Sequence, residues 1–424
     1  MNAKQIFIPL SLLLTGLIGG HFFSDLLGLQ TKLEKDFNIK KIVLDIEVPK
    51  KELKDIKNPA KNVILLIGDG MSVSQISVYR LLKGGPNHRV SFDRFPFSGI
   101  VLTHSEDALI TDSASSATAY STGQKTKNRY LGLDSKNNSL ENLTETLDRY
   151  KFVSSLIATS EITHATPAAF ASHVESRWDT DQISKDLVSS KVATLLGGGR
   201  NVFNTESNGG VRKDKEDLYE TLKSSTNLLT TKQGLMNFDL SKEGRVFGLF
   251  ADNHLRDMED LSNHPKEPSL SEMLQFALDR FDHHKERGCE GFFIMAEGSQ
   301  VDWSGHTNNL KYLEREMDDL DDAINLSYKF ALDNQETLVI VTSDHETGGL
   351  LIESEGLSYT GNKVKFSYNT DIGKGNHTGV PVPVYAFGPG AENFTGTLDN
   401  TDIYHAIIKS LGIGQQSVKG SCIR

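Results

Sequence analysis

Apolar residues along this chain fall into two alternating patterns. Short continuous runs at Val63–Ile67, Gly99–Thr103, Val153–Thr159, Val192–Leu196, Arg245–Phe250, Gly291–Ala296, Thr337–Thr342 and Val382–Phe387 read as strands. Several are flanked by glycine, as expected of strands covered on both faces. Between them, Asn142–Tyr150, Leu270–Lys285, Leu310–Leu332 and Thr401–Leu411 carry the amphipathic spacing of helices. Alternating strands and helices predict an α/β fold: a three-layer α/β/α sandwich around a large, mostly parallel sheet, with surface insertions. The polar stretch 201–231 has weak core character and is a candidate insertion.

The N-terminus breaks this alternation. From Gln5 to Ser24 there is no Asp, Glu, Lys or Arg, and the stretch follows Lys4 and holds the apolar run Ile6–Gly20. Pro9, Gly16, Gly19 and Gly20 make a poor core helix, so residues 1–29 read as an export segment. No small-residue cleavage site follows Gly20, and about 20 uncharged residues suffice to span a bilayer, so an uncleaved membrane anchor is the alternative. Either way the expected location is extracytoplasmic, periplasmic or secreted. Residues 30–60 read as a linker, 61–412 as the folded body and 413–424 as a C-terminal tail.

Composition narrows the classes. The 424 residues include 45 Lys+Arg and 56 Asp+Glu, a net charge of −11, which argues against nucleic acid as the partner because phosphate backbones are held by basic residues. Cys289 and Cys422 are the two cysteines: they permit one disulfide at most and exclude a thiolate metal cluster. Length alone suggests two or three domains.

Three predicted strands end in acid: Ile64–Asp69, Phe293–Glu297 and Val339–Asp344, the last followed by His345. One such ending is an ordinary turn or cap residue. Three on one sheet edge would repel at close range unless cations neutralise them. Asp302 and His306 stand four apart, one helical turn, and could face one ion; His377 sits on a glycine-flanked loop. Ser113 opens a run of small residues after Asp112, near the N-terminus of a predicted helix, where free N–H groups favour an anion. It reads either as a nucleophile or as part of a simple cap. His283 and His284 fall on an exposed helical pattern and read as solvated, and His254 has no acidic partner at ligand spacing.

These segments together, Asn62–Met71, Thr111–Ala114, Glu297–Asp302, Asp344–His345 and Gly375–Gly379, resemble the alkaline phosphatases, in the family's order and across about residues 62–411. The resemblance implies hydrolysis of small-molecule phosphate monoesters, with Ser113 as the nucleophile that becomes phosphoserine. It implies one zinc on Asp302, His306 and His377 and a second on Asp69, Asp344 and His345. Magnesium would lie on Asp69, Thr166 and Glu297, and Arg177 would clamp phosphate. Two positions depart from the enterobacterial pattern: His164 replaces an aspartate near magnesium, and Trp303 replaces a lysine near phosphate, a pairing similar to marine and some Gram-positive relatives. A His there puts the magnesium in doubt, since that ion prefers oxygen ligands. The resemblance also implies a homodimer. Motifs from Asp69 to His377 must meet at one site, which turns the domain estimate into one large catalytic domain. A phosphodiesterase, sulfatase or phosphate-transferring mutase is the alternative enzyme reading, and a phosphate- or metal-binding protein the non-enzyme one.

Overall fold

In the computed structural model, residue 53 and residues 57–258, 263–354, 363–370, 375–414 and 419–422 are described. The predicted export segment lies outside them. Of the predicted linker only its end is described, where Leu53 packs against the core and Ala60 is buried. Among the described residues no helix is long and apolar enough to cross a membrane.

Among the described residues fourteen strands form in chain order: β1 Asn62–Gly68, β2 Phe97–Leu102, β3 Phe152–Glu161, β4 Thr194–Gly198, β5 Asn227–Leu229, β6 Val246–Leu249, β7 Gly291–Gly298, β8 Thr337–Thr342, β9 Glu346–Thr347, β10 Leu350–Ser354, β11 Val364–Tyr368, β12 His377–Thr378, β13 Val382–Phe387 and β14 Gly396–Asp399. Ten build one sheet in the order β14-β2-β13-β8-β1-β7-β3-β4-β6-β5. Every pairing is parallel except those of β13, which runs antiparallel to β2 and β8. The central strands β1, β7 and β8 are buried at every residue, which explains their unbroken apolar runs. Their side chains alternate between two cores on opposite faces of the sheet: Val63, Leu65 and Ile67 enter one, Ile64 and Leu66 the other. The α/β/α sandwich expected from the pattern is the architecture found.

Several details differ from the sequence reading. The stretch 201–231 ends in β5, an edge strand of the main sheet, and it also contains the buried Arg212, whose guanidinium donates to the Val202 carbonyl at 3.0 Å and to Asp214. The predicted helix Leu270–Lys285 is two, Leu270–Asp279 and Phe281–Glu286, joined at Arg280. His284 is buried rather than solvated, because that break turns it inward beside Arg280, and burial pushes its imidazole down to about 3. Cys289 and Cys422 are disulfide-bonded with Cα atoms 5.4 Å apart, which fastens the C-terminal tail beside the start of β7. The same tail donates from Lys419 and Gly420 N–H to the Arg149 carbonyl, both at 2.9 Å.

Candidate active site

Parallel strands deliver their carboxyl ends to one edge, and here register makes that delivery tight. Gly68 of β1 stands opposite Gly298 of β7, Ile67 opposite Thr342 of β8, and Ala158 of β3 opposite Glu297. Four adjacent strands therefore release Asp344 and His345, Asp69, Glu297, and the loop of His164 and Thr166 at one level. Gly70, at φ 72°, turns the chain away directly after Asp69, and a Cβ on it would lie 2.8 Å from the Asp302 Cα. Only glycine lets the two loops approach that closely.

Three side-chain sets converge there, each with ligand atoms within 4.8 Å of one another: Asp302, His306 and His377; Asp69, Asp344 and His345; Asp69, His164 and Glu297. The first is made as the spacing predicts, by one turn of the helix Gln300–His306, with His306 Nε2 3.1 Å from Asp302 Oδ2. His377 joins through the small β9–β12 pair, and Gly375 packs so closely on His306 that a Cβ would meet its Cα at 2.8 Å.

Histidine tautomers are set from behind. His377 Nδ1 meets the Thr111 carbonyl at 2.9 Å and His306 Nδ1 the Gly375 carbonyl, so in both rings Nδ1 is the donor and Nε2 is the atom turned toward the other ligands. Thr347 does this for His345: its hydroxyl donates to Asp302 Oδ1 at 2.5 Å, so it accepts from His345 Nδ1 at 3.2 Å. Nothing in the sequence singled out Thr347, whose role depends on two partners 45 and two residues away. The freed His345 Nε2 then lies 3.4 Å from Asp69 Oδ1, 3.2 Å from Asp344 Oδ2 and 3.2 Å from Ser113 Oγ.

The electrostatics of this cluster are those of a cation cradle. Both Asp69 oxygens, Glu297 Oε1, Asp344 Oδ2 and Thr166 Oγ1 are buried without a hydrogen-bond partner. Burial, then the nearby Asp344, Asp302 and Glu297, hold the Asp69 carboxyl well above its usual range. Burial likewise raises Asp344, and it raises Glu297 to about 7 even though Ser299 donates to it at 2.6 Å. Burial, reinforced by His377, keeps His345 neutral. Asp302 behaves oppositely: burial is outweighed by the His306 hydrogen bond and by His377 and His345, leaving it below the usual carboxylate range. Lone pairs facing one another in a dry site are stable once divalent cations sit between them, and an all-imidazole-and-carboxylate set suits zinc. The third set has two carboxylates but also His164, and fits a harder ion less completely.

Ser113 begins the helix Ser113–Thr122, capped by Asp112, whose side chain accepts the Ser115 N–H at 3.0 Å. Every residue of that helix is buried, and its small side chains let it lie tightly in the fold. Ser116 donates to the Asp344 carbonyl at 2.8 Å and Tyr120 to the Ser343 carbonyl at 2.5 Å, so the helix is locked to the loop that carries Asp344 and His345. Arg177 reaches in from the loop before the helix Thr180–Ser189, with its side chain 12% exposed, and binds Asp112 Oδ2 and His164 Nε2, both at 3.3 Å. Trp303 stands over His254 with ring centres 4.5 Å apart, and His164 lies 5.9 Å from His254 and 6.1 Å from Trp303. His254 thus belongs to the rim of the site; it arrives from the loop after β6, and Glu161 N–H donates to its Nδ1 at 3.1 Å. All thirteen residues singled out from the sequence, Thr166 and Asp112 included, are gathered in this region.

Comparison with known proteins agrees with this geometry. The family model for alkaline phosphatase matches residues 60–368. Alkaline phosphatase 4 of Bacillus subtilis (strain 168) is 34% identical, covering 85% of this chain and 91% of the relative, and the alkaline phosphatase of Escherichia coli (strain K12) is 28% identical, over 84% and 87%. The solved alkaline phosphatase of the Antarctic bacterium TAB5 is 36% identical with a TM-score of 0.73, covering 84% of this chain and 99% of that one. A variant of the TAB5 enzyme with a histidine changed to aspartate, 35% identical with a TM-score of 0.74 over 84% and 99%, holds magnesium in its M3 site. The match spans most of the chain: this chain belongs to the alkaline phosphatase family, enzymes that hydrolyse phosphate monoesters.

Proposed function

We propose that the chain hydrolyses phosphate monoesters in two displacements through a phosphoserine at Ser113. Asp302, His306 and His377 would hold one zinc, Asp69, Asp344 and His345 a second, and Asp69, Thr166 and Glu297 a magnesium. The observation that carries this reading is Ser113 Oγ at 3.2 Å from His345 Nε2, beside buried carboxylate oxygens of Asp69, Glu297 and Asp344 that have no hydrogen-bond partner. Bound there, divalent cations would lower the pKa of a coordinated hydroxyl and offset charge on phosphate and leaving-group oxygens.

The chain's own residues do the rest. Asp112 caps the helix so that Ser113 sits at its first position, where unpaired N–H groups point at an incoming anion. Arg177 offers a planar fork of donors, held in place by Asp112 Oδ2, which suits two non-bridging phosphate oxygens. In the first displacement the Ser113 oxygen bonds to phosphorus and the ester oxygen leaves. In the second, water attacks phosphorus, the Ser113 oxygen leaves, and inorganic phosphate is released. Trp303 puts a neutral ring where a lysine would add charge, which leaves phosphate held chiefly by Arg177 and the helix N-terminus. The Cys289–Cys422 disulfide supports work in an oxidising, extracytoplasmic compartment, and a homodimer is part of the same proposal.

Ser113→Ala is the test. We expect it to abolish labelling of the protein by a phosphate monoester and to lower kcat by several orders of magnitude with the fold unchanged. Retained phosphoserine in that variant would overturn the assignment.

A further inference from the structure

Single exposed hydrophobic residues are ordinary on protein surfaces. Trp178 is set apart by where it stands and what covers it. At 63% exposure it is the most exposed large hydrophobic side chain among the described residues, and it directly follows Arg177 in the chain. One face of its ring is covered by the Arg129 guanidinium, 5.0 Å from the ring centre.

Arg129 is not there by accident of a loose loop. Its backbone is left-handed, φ 77°, an unfavourable conformation for a residue with a Cβ that persists only where neighbours enforce it. They do so here: Arg129 N–H donates to Asp112 Oδ2 at 3.0 Å, and its carbonyl accepts from Arg177 N–H at 2.9 Å. Before it, Asn128 accepts from Asp112 N–H at 3.0 Å and from Ser115 Oγ at 2.9 Å. The carboxylate oxygen that receives Arg129 N–H is the one that receives Arg177 Nη1. One oxygen beside the nucleophile therefore positions both the phosphate-binding arginine and the cation that backs the indole.

We propose that Trp178, backed by Arg129, is a platform on which a flat aromatic leaving group of the monoester stacks, so that nucleoside monophosphates are favoured over alkyl phosphates of equal charge. This rests on the phosphatase reading above and deepens it. A cation over one face of an indole steadies the ring and leaves the other for stacking. Base stacking on an aromatic side chain does not depend on which base it is, so the preference is for aromatic monoesters as a class.

The test uses the full, metal-loaded protein with two substrates, 5′-AMP and glycerol 3-phosphate. With Trp178→Ala we expect kcat/KM for 5′-AMP to fall about tenfold, through KM, while that for glycerol 3-phosphate changes less than about twofold; Trp178→Phe should restore most of the difference. Equal loss on both substrates, or no loss on 5′-AMP, would refute the platform. A readout independent of turnover is available, because the chain has 2 tryptophans, Trp178 and Trp303. Saturable quenching of fluorescence by 5′-AMP should shrink sharply in Trp178→Phe, and unchanged quenching overturns the proposal. Wild type that hydrolyses neither ester would overturn the phosphatase reading instead, with the quenching still deciding the role of Trp178.

Discussion

Two groups of carboxylates are buried in this molecule, and they are buried on opposite terms. At the strand ends, Asp69, Glu297 and Asp344 expose oxygens to one another with no hydrogen-bond partner. Along the helix Leu310–Asn334, by contrast, each buried acid is answered by backbone N–H groups. Glu316 accepts from Met258 at 2.8 Å, and Asp319 accepts from Leu270 at 2.7 Å and Ser271 at 3.2 Å. The half-buried Asp321 on the same helix accepts from Ser91 at 2.8 Å. Burial raises the pKa in both groups, so a shifted pKa alone does not tell them apart. What separates them is whether buried oxygens are left facing other carboxylates without a donor. Where backbone N–H groups meet the acid, it pins loops and helix ends; where an oxygen faces other carboxylates unpaired, a cation would offset the repulsion.

Breaking the comparison at its functional end should give the largest effect. Asp69→Asn removes a carboxylate shared by two ligand sets, and we expect at least a hundredfold loss of activity, since even outer-shell changes around metals cost 10 to 100-fold. The same variant should raise the melting temperature of the metal-free protein, because it relieves repulsion from Asp344, Asp302 and Glu297. A lowered metal-free melting temperature would place Asp69 with the structural acids.

The structural end should answer in the reverse sense. Asp319→Ala leaves the Leu270 and Ser271 N–H groups of a buried helix start without their acceptor, and denaturant titration should show a loss of about 2–3 kcal/mol with kcat within about twofold. A large kcat effect would dissolve the distinction between the groups.

Subtlest to read out is the pH dependence of Glu316, whose pKa is pushed up to about 8 by burial, against the Met258 hydrogen bond that lowers it. A raised carboxyl binds more protons folded than unfolded, so its contribution is fully present below the unfolded value of about 4.5 and is lost as pH rises through 8. Glu316→Gln keeps an acceptor for Met258 N–H and should flatten that decline, by at most about 1.4 kcal/mol per pH unit. An unaltered slope between pH 5 and 8 would mean that Glu316 does not titrate in this window.

The contrast also marks how far the sequence could be read. Strand-terminal acids, the Asp302–His306 turn and the His377 loop were legible because each is a local pattern, and a sheet edge collects local patterns. The central strands were legible because burial on both faces leaves no polar interruption. Edge strands β5 and β14, of three and four residues, carry no such run and went unread. The buried acids of Leu310–Asn334 were not singled out, since nothing local reveals that distant N–H groups come to meet them. His254 and Thr347 were invisible for the same reason: their partners are brought by the fold, not by neighbours in the chain. Arg177 was placed by family resemblance alone, since its 12% exposed side chain is turned inward by Asp112, a partner 65 residues away.

The bond between Cys289 and Cys422 spans 133 residues of chain, and that interval contains Glu297, Asp302, His306, Asp344, His345 and His377. A protease that cuts the backbone once anywhere between the two cysteines would therefore release no piece. Both fragments would remain one covalent molecule and come apart only under a reductant, and a cut before His377 would leave ligands of the three sets on each side of the nick.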